Sequence, residues 1–233
     1  MLIDNIWVIS DIHGSYNTLL ALLDKIPVGA KICFTGDLID RGPDSLSVIQ
    51  LIIDKNFDCV LGNHEYFMLH PKNHLFRNKS LTKNWIDNGG AKTRDSYLNE
   101  PDLYIEHLKF LEKLPVFKYY EFKNGATPLV VSHSVILDLW KGPSSIFNDL
   151  ENFDIMSRHL TSFKIIPFLK IDPDSFEDKD VFNIMGHTIL DDIVIGDNFA
   201  AIDTGGFKID GRLTALNYPS FEKIEQENLE VFV

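Results

Sequence analysis

"KICFTGDLIDRGPDSLSVIQLIID", residues 31–54, decides the fold. Its apolar start, "KICF" (31–34), has the length and composition of a buried strand. The run breaks at a polar cluster holding two glycines, the carboxylates Asp37 and Asp40, and the guanidinium of Arg41. A helical pattern follows over 43–54, with Pro43 near its start and Leu46, Ile49 and Ile53 on one face. A strand that ends in charged residues and runs straight into a helix is half of a βαβ unit.

The pattern repeats on both sides. "IWVIS" (6–10) is a strand that leads through "SDIHG" into "SYNTLLALLDKI" (15–26). That segment spaces Leu19, Leu20, Leu22, Leu23 and Ile26 at helical intervals, with Ser15 as its N-cap. "FDCVL" (57–61) is a third strand and ends in "GNHE". Strand, helix, strand, helix, strand predicts a parallel sheet. Such sheets gather ligands at the carboxyl ends of their strands. All three ends here carry a His, Asp or Asn beside a glycine.

Further along, 64–115 reads as a mostly helical insertion: "HEYFMLH", "LTKNWIDNGG" and "PDLYIEHLKFLEKL". Strands return at "VFKYYEF" (116–122) and "PLVVSH" (128–133), a hairpin with a loose turn at Asn124–Gly125. Residues 134–180 read as a loop-rich insertion with some helix. The rest is β: "VFNIMG" (181–186), "IVIG" (193–196), "NFAAIDTG" (198–205) and "LTALNY" (213–218). Because candidate site residues span Asp11 to Asp203, one domain over 1–233 is expected.

Composition narrows the function. The chain has 233 residues, 45% hydrophobic and 24% charged, as a globular protein does. Its net charge of −12 disfavours nucleic acid and anionic lipid, whose binding rests on Lys and Arg. Cys33 and Cys59 lie in apolar runs and suit small core residues better than a disulfide. The N-terminal stretch has no basic segment before its short apolar run, and no run approaches the ~18 apolar residues of a membrane span. A cytoplasmic protein without membrane contact is expected; the oligomeric state is not legible.

Asp11, His13, Asp37, Asn63, His133 and His187 each follow an apolar strand-like run. Taken singly, an aspartate here suits a turn or a cap, and a histidine suits a hydrogen-bonded core. Together they form a mixed N/O donor set suited to Mn, Fe or Zn. Two ions about 3.5–4 Å apart need a bridging ligand, and Asp37, between the other clusters, is the candidate. Such a pair readies a hydroxide near neutral pH. His64, next to Asn63, is placed to protonate a leaving group, with Asp40 to orient it and keep it charged, which is worth ~10²–10⁴-fold. The Arg41 fork can hold two phosphate oxygens.

The ordered set "DIHG", "GDLIDRG", "GNHE", a strand-end His, "GHT" and "DTGG" resembles the calcineurin-like metallophosphoesterase superfamily. More narrowly, it is similar to the bacterial and phage Ser/Thr protein phosphatases. The resemblance implies an αββα sandwich of two mixed sheets with a dinuclear site at the strand ends. Asp11, His13 and Asp37 would bind one ion, and Asp37, Asn63, His133 and His187 the other. The ions would be divalent, manganese foremost, with iron, zinc or nickel as alternatives. His64 and Asp40 would be the acid pair, Arg41 and Asn63 would contact phosphate, and "MSRHL" offers Arg158 as a further phosphate ligand. The expected substrate is a phosphoprotein or a phosphorylated small molecule, with phosphorylated Ser/Thr foremost.

Protein phosphatases usually carry an arginine just before "GNHE", where this chain has Leu61. Symmetrical diadenosine tetraphosphatases also carry "VLGNH" and "RGP", so dinucleoside polyphosphate hydrolysis is the alternative. Those enzymes tend to lack the acid before "RG" and to have Asp after "GNH", whereas Asp40 and Glu65 are present here. A metal-holding binding module without turnover is a third possibility, disfavoured by the intact acid pair.

Overall fold

A computed structural model of the chain describes residues 2–70, 75, 83–134 and 181–230. Strands β1 (Ile6–Ile9), β2 (Ile32–Phe34) and β3 (Asp58–Cys59) form the expected parallel set, joined by α1 (Tyr16–Leu23) and α2 (Ser45–Lys55). The third strand is shorter than "FDCVL" suggests, because only two of its residues pair with β2. Helix α2 is closed at both ends. The Asp44 side chain accepts from the Ser47 amide, and Asn56 takes the left-handed conformation after the last turn.

Helices α3 (Asn63–Leu69), α4 (Lys83–Trp85), α5 (Ala91–Ser96) and α6 (Pro101–Leu111) occupy the described parts of the next stretch. The "LTKNWIDNGG" segment does not stop at its glycine pair. A π-helical turn over Ile86–Gly90 links α4 to α5, with Gly89 at φ 102°. A Cβ on Gly89 would lie 2.7 Å from the Arg41 amide nitrogen, so only glycine lets this turn press against the β2–α2 loop.

The second half supplies β4 (Phe117–Tyr120), β5 (Leu129–Ser132), β6 (Phe182–Met185), β7 (Val194–Ile195), β8 (Phe199–Ala201), β9 (Arg212–Tyr218) and β10 (Lys223–Glu227). Two five-stranded mixed sheets result, in the orders β10-β9-β1-β2-β3 and β4-β5-β6-β8-β7. Period-two alternation explains why they stack. Ile6 and Val8 point to the second sheet, where they meet Leu129, Val131, Ile184 and Ala200. Trp7 and Ile9 point the other way and pack with Leu19, Leu22, Ile49 and Ile52 of α1 and α2. Each large apolar side chain buried this way is worth roughly 1.5–3 kcal/mol.

The fold is thus two mixed sheets face to face, with helices against the outer face of the first. Among the described residues, Phe117 and Val130 form a small cluster on the second sheet with Val116 and Val181 packed against it. The segment 135–180, with Arg158, lies outside the described residues. Both cysteines are buried and free. Among the described residues no helix is long and apolar enough to cross a membrane.

Candidate active site

Six parallel strands aim their carboxyl ends at one place: β1, β2 and β3 of one sheet, and β5, β6 and β8 of the other. The loops after them carry Asp11 and His13, Asp37 to Arg41, Asn63 and His64, His133, His187 and Asp203. The backbone is strained here. His13, Asp37, Asp40, Arg41 and His187 all have φ between 49° and 71°, a region side chains other than glycine's seldom enter.

The histidines are oriented by their far nitrogens. His13 Nδ1 lies 2.9 Å from the Ile39 carbonyl, and His133 Nδ1 lies 2.9 Å from the Thr35 carbonyl. Each Nδ1–H therefore donates outward, which leaves Nε2 as a bare lone pair facing inward. His133 Nε2 then meets Asn63 Oδ1 at 2.9 Å, His187 Nδ1 at 3.0 Å and Asp37 Oδ2 at 3.5 Å. On the other side of Asp37, His13 Nε2 lies 3.7 Å and His64 Nε2 3.8 Å from the same carboxylate oxygen.

Two groups of donors share Asp37: His13 with His64, and His133 with His187. Within each group one ligand atom from every residue lies within 4.8 Å of the others. Converging lone pairs call for a cation; the Arg41 guanidinium meets those of His13 and His64 here, and first-row ions bind such donors at roughly 2 Å. The residues present fit divalent metal on both sides of Asp37. Asp11 stands outside both groups. Its oxygens accept from Thr35 Oγ1 at 2.9 Å and from the His187 amide at 3.0 Å.

Charge follows the same pattern. Burial alone would raise Asp37, but His133, His64 and His13 outweigh it and hold its carboxyl below the usual range. Burial pushes Asp11 well up, helped by Asp203 and Asp37, and pushes Asp203 up to about 6. Asp203 Oδ2 is buried and has no hydrogen-bond partner. Burial lowers His13 and His133, and takes His187 down to about 4.

His64 behaves differently. Burial would lower it, yet the Asp37 and Asp40 carboxylates win and raise it. Its Nδ1 lies 2.7 Å from Asp40 Oδ2. Asp40 is held in turn by Trp85 Nε1 at 2.9 Å and Thr93 Oγ1 at 2.6 Å. The Arg41 fork spans the imidazoles, with its two terminal nitrogens 2.9 Å from His13 Nε2 and 3.1 Å from His64 Nε2. Phe207 backs it, 4.5 Å from the guanidinium carbon.

The structure thus gathers Asp11, His13, Asp37, Asp40, Arg41, Asn63, His64, His133 and His187. Reading along the chain missed Trp85, Thr93 and Phe207 as neighbours of these groups. "WIDNGG" was the available signal for Trp85. Glu65 is a further find: it accepts from the amides of Asp37, Leu38 and Gly62 at 2.8–2.9 Å, tying the β2 loop to α3.

A sandwich whose parallel strands end on inward-facing imidazoles around one carboxylate has the donor set of a metal-dependent hydrolase. Residues 5–198 match the model of the calcineurin-like phosphoesterases, and the chain belongs to that family. Its members use a dinuclear divalent-metal site. The chain is 34% identical over 139 residues to the symmetrical bis(5'-nucleosyl)-tetraphosphatase of Erwinia tasmaniensis, covering 58% of this chain and 45% of that one. It spans about half the length of the curated relatives it matches. Two solved structures share the fold. One is a proposed diadenosine tetraphosphatase, with TM-score 0.65, 18% identity and coverage of 95% and 92% of the two chains. The other is a protein serine/threonine phosphatase of Saccharomyces cerevisiae, with TM-score 0.59, 16% identity and coverage of 98% and 81%.

Proposed function

We propose that this metallophosphoesterase hydrolyses dinucleoside polyphosphates symmetrically, cutting a phosphoanhydride rather than an alkyl phosphoester. The observation that carries this reading is the 34% identity to a symmetrical tetraphosphatase. The buried Leu61, where protein phosphatases usually have an arginine, supports it. The relatives therefore favour the alternative over the phosphorylated Ser/Thr substrate expected first.

In this reading Asp11, His13, Asp37, Asn63, His133 and His187 would hold two divalent ions, Asp11 joining from outside the two donor groups, with manganese the first to try. Bound there, the ions supply Lewis acidity and an activated water. Arg41 turns its fork from the imidazoles to two phosphate oxygens, for which a bidentate guanidinium is well shaped. Asn63 adds its amide to the same phosphate. Arg158 lies outside the described residues, so its expected contact rests on the sequence alone. His64 gives a proton to the departing phosphate oxygen, and Asp40 holds the opposite ring nitrogen. One water is consumed, one P–O bond breaks, and two nucleoside diphosphates leave.

The Asp40–His64 pair, locked by Trp85 and Thr93, favours a second reading: phosphomonoester hydrolysis on Ser/Thr. An alkoxide is a poorer leaving group than a nucleoside diphosphate and needs that proton more. The same pair disfavours a binding module without turnover. The test is direct. Purified protein with Mn²⁺ is expected to release ADP alone from diadenosine tetraphosphate, faster than phosphate from a phosphopeptide. Faster phosphopeptide cleavage, or ATP and AMP as products, would displace the proposal.

A further inference from the structure

Phe207 has two neighbourhoods. On one side Arg41 lies over its ring, and His13 meets it edge-on at 4.8 Å between ring centroids. On the other it walls a cavity of about 490 Å³ formed by the β8–β9 loop and the turn after His187. That volume is in the range of small-molecule sites. Ile189 and Ile209 supply apolar wall, and Ile209 is 78% exposed. Lys208 stands at the rim, and its charge is felt by the buried Asp203 beside the metal donors. Asp191 and Asp210 also line the cavity.

These groups match one occupant, the departing half of the substrate. A nucleobase is flat and apolar on its faces, suited to an aromatic ring and two branched aliphatic chains. Ribose hydroxyls and an exocyclic amine are donors, suited to two carboxylates. The phosphates between base and metal centre pass Lys208, a cation in a chain of net charge −12. We propose that this cavity is the subsite for the leaving nucleoside diphosphate, with Ile209 and Lys208 setting the preference for nucleotide-bearing substrates. The assignment rests on the dinucleoside polyphosphate reading above. It also makes a claim that reading does not: ADP alone should bind here.

The test uses Ile209→Glu, with Ile209→Leu as the conservative variant, and Lys208→Gln. Two substrates are compared in the metal-loaded enzyme, diadenosine tetraphosphate and p-nitrophenyl phosphate, and ADP is assayed as an inhibitor of the second. Ile209→Glu is expected to lower kcat/KM for the tetraphosphate about 10-fold more than for p-nitrophenyl phosphate, chiefly through KM, as a lost apolar pocket contact does. It is also expected to weaken ADP inhibition by a similar factor, while Ile209→Leu restores both. Lys208→Gln should weaken ADP more than adenosine. Equal effects on the two substrates with unaltered ADP inhibition would overturn the subsite and leave the proposed function standing. If the wild type does not cleave the tetraphosphate, the proposed function fails and ADP decides alone. Inhibition weakened by Ile209→Glu then upholds nucleoside diphosphate binding in this cavity and overturns only its leaving-group role; no inhibition of the wild type, or inhibition insensitive to that change, ends both.

Discussion

His64 and His107 are equally hidden from solvent, at 1% and 0% exposure, yet they have opposite acid–base character. His107 sits in the middle of α6 with neutral hydrogen-bond partners, and the one carboxylate that acts on it, Asp54, is exposed to solvent. The Tyr97 hydroxyl donates to its Nδ1 at 2.6 Å, and its Nε2–H donates to Gln50 Oε1 at 3.0 Å. Burial drives it down to about 4, so it stays uncharged. His64 opens α3 between two carboxylates, and those reverse the effect of burial. A buried histidine becomes a proton carrier only where anions have been buried with it. The backbone marks the same divide, because left-handed residues crowd the His64 side while His107 lies in regular helix.

The largest effect should come from removing the shared anion. Asp37→Asn keeps the shape but takes away the charge facing His13, His64 and His133. Turnover is expected to vanish, and elemental analysis should find fewer than two ions per chain. Two retained ions would mean that Asp37 is not the bridge.

Next in size is His64→Asn. It is expected to keep both metals and to lose ~10²–10⁴-fold on an alkyl phosphate, as loss of a general acid does. The loss on diadenosine tetraphosphate should be smaller, since its leaving group needs less protonation. Equal losses on the two substrates, or loss of metal, would give His64 a ligand's role.

What the chain declares about these regions depends on distance along it. The βαβαβ unit and its three clusters are legible because strand, cluster and helix are each local patterns within about ten residues. The grip of Trp85 and Thr93 on Asp40 crosses 45 and 53 residues and leaves no local period to detect. Strand β10, "KIEQE" (223–227), is absent from the sequence reading for another reason. It is a polar edge strand in which Ile224 alone packs against the core, so it shows no apolar run. By position His107 reads only as a solvated or structural residue. Only the fold shows Tyr97 and Gln50 closing on it.

His107→Gln sharpens the comparison from the neutral side. It leaves the Tyr97 hydroxyl without its acceptor, at a cost of about 1–3 kcal/mol near neutral pH. The pH dependence carries the sign. His107 titrates at about 4 when folded and near 6.5 when unfolded, so the unfolded chain binds the extra proton between those values. Its contribution is complete above about pH 6.5 and is lost as pH falls toward 4. Denaturant unfolding at several pH values should show the stability gap between wild type and variant narrowing over that window. A constant gap would mean that His107 is not held neutral.

The smallest effect lies at α1, where charge acts on structure without touching either histidine. Ser15 holds the N-cap position as expected, but its hydroxyl makes no capping bond and is buried without a partner. The cap comes instead from Glu230, 213 residues away. Its carboxylate accepts from the Asn17 amide at 2.8 Å, the Thr18 amide at 3.1 Å and the Asn17 side chain at 3.1 Å. An anion there satisfies free amides and suits the positive end of the helix. Glu230→Ala should cost about 1 kcal/mol, read as a lower denaturation midpoint. Because Glu230 touches no metal donor, the pH profile of turnover should keep its shape. A shifted profile would mean that the α1 end governs the His13 loop beside it, and that the two regions are coupled through the backbone as well as divided by charge.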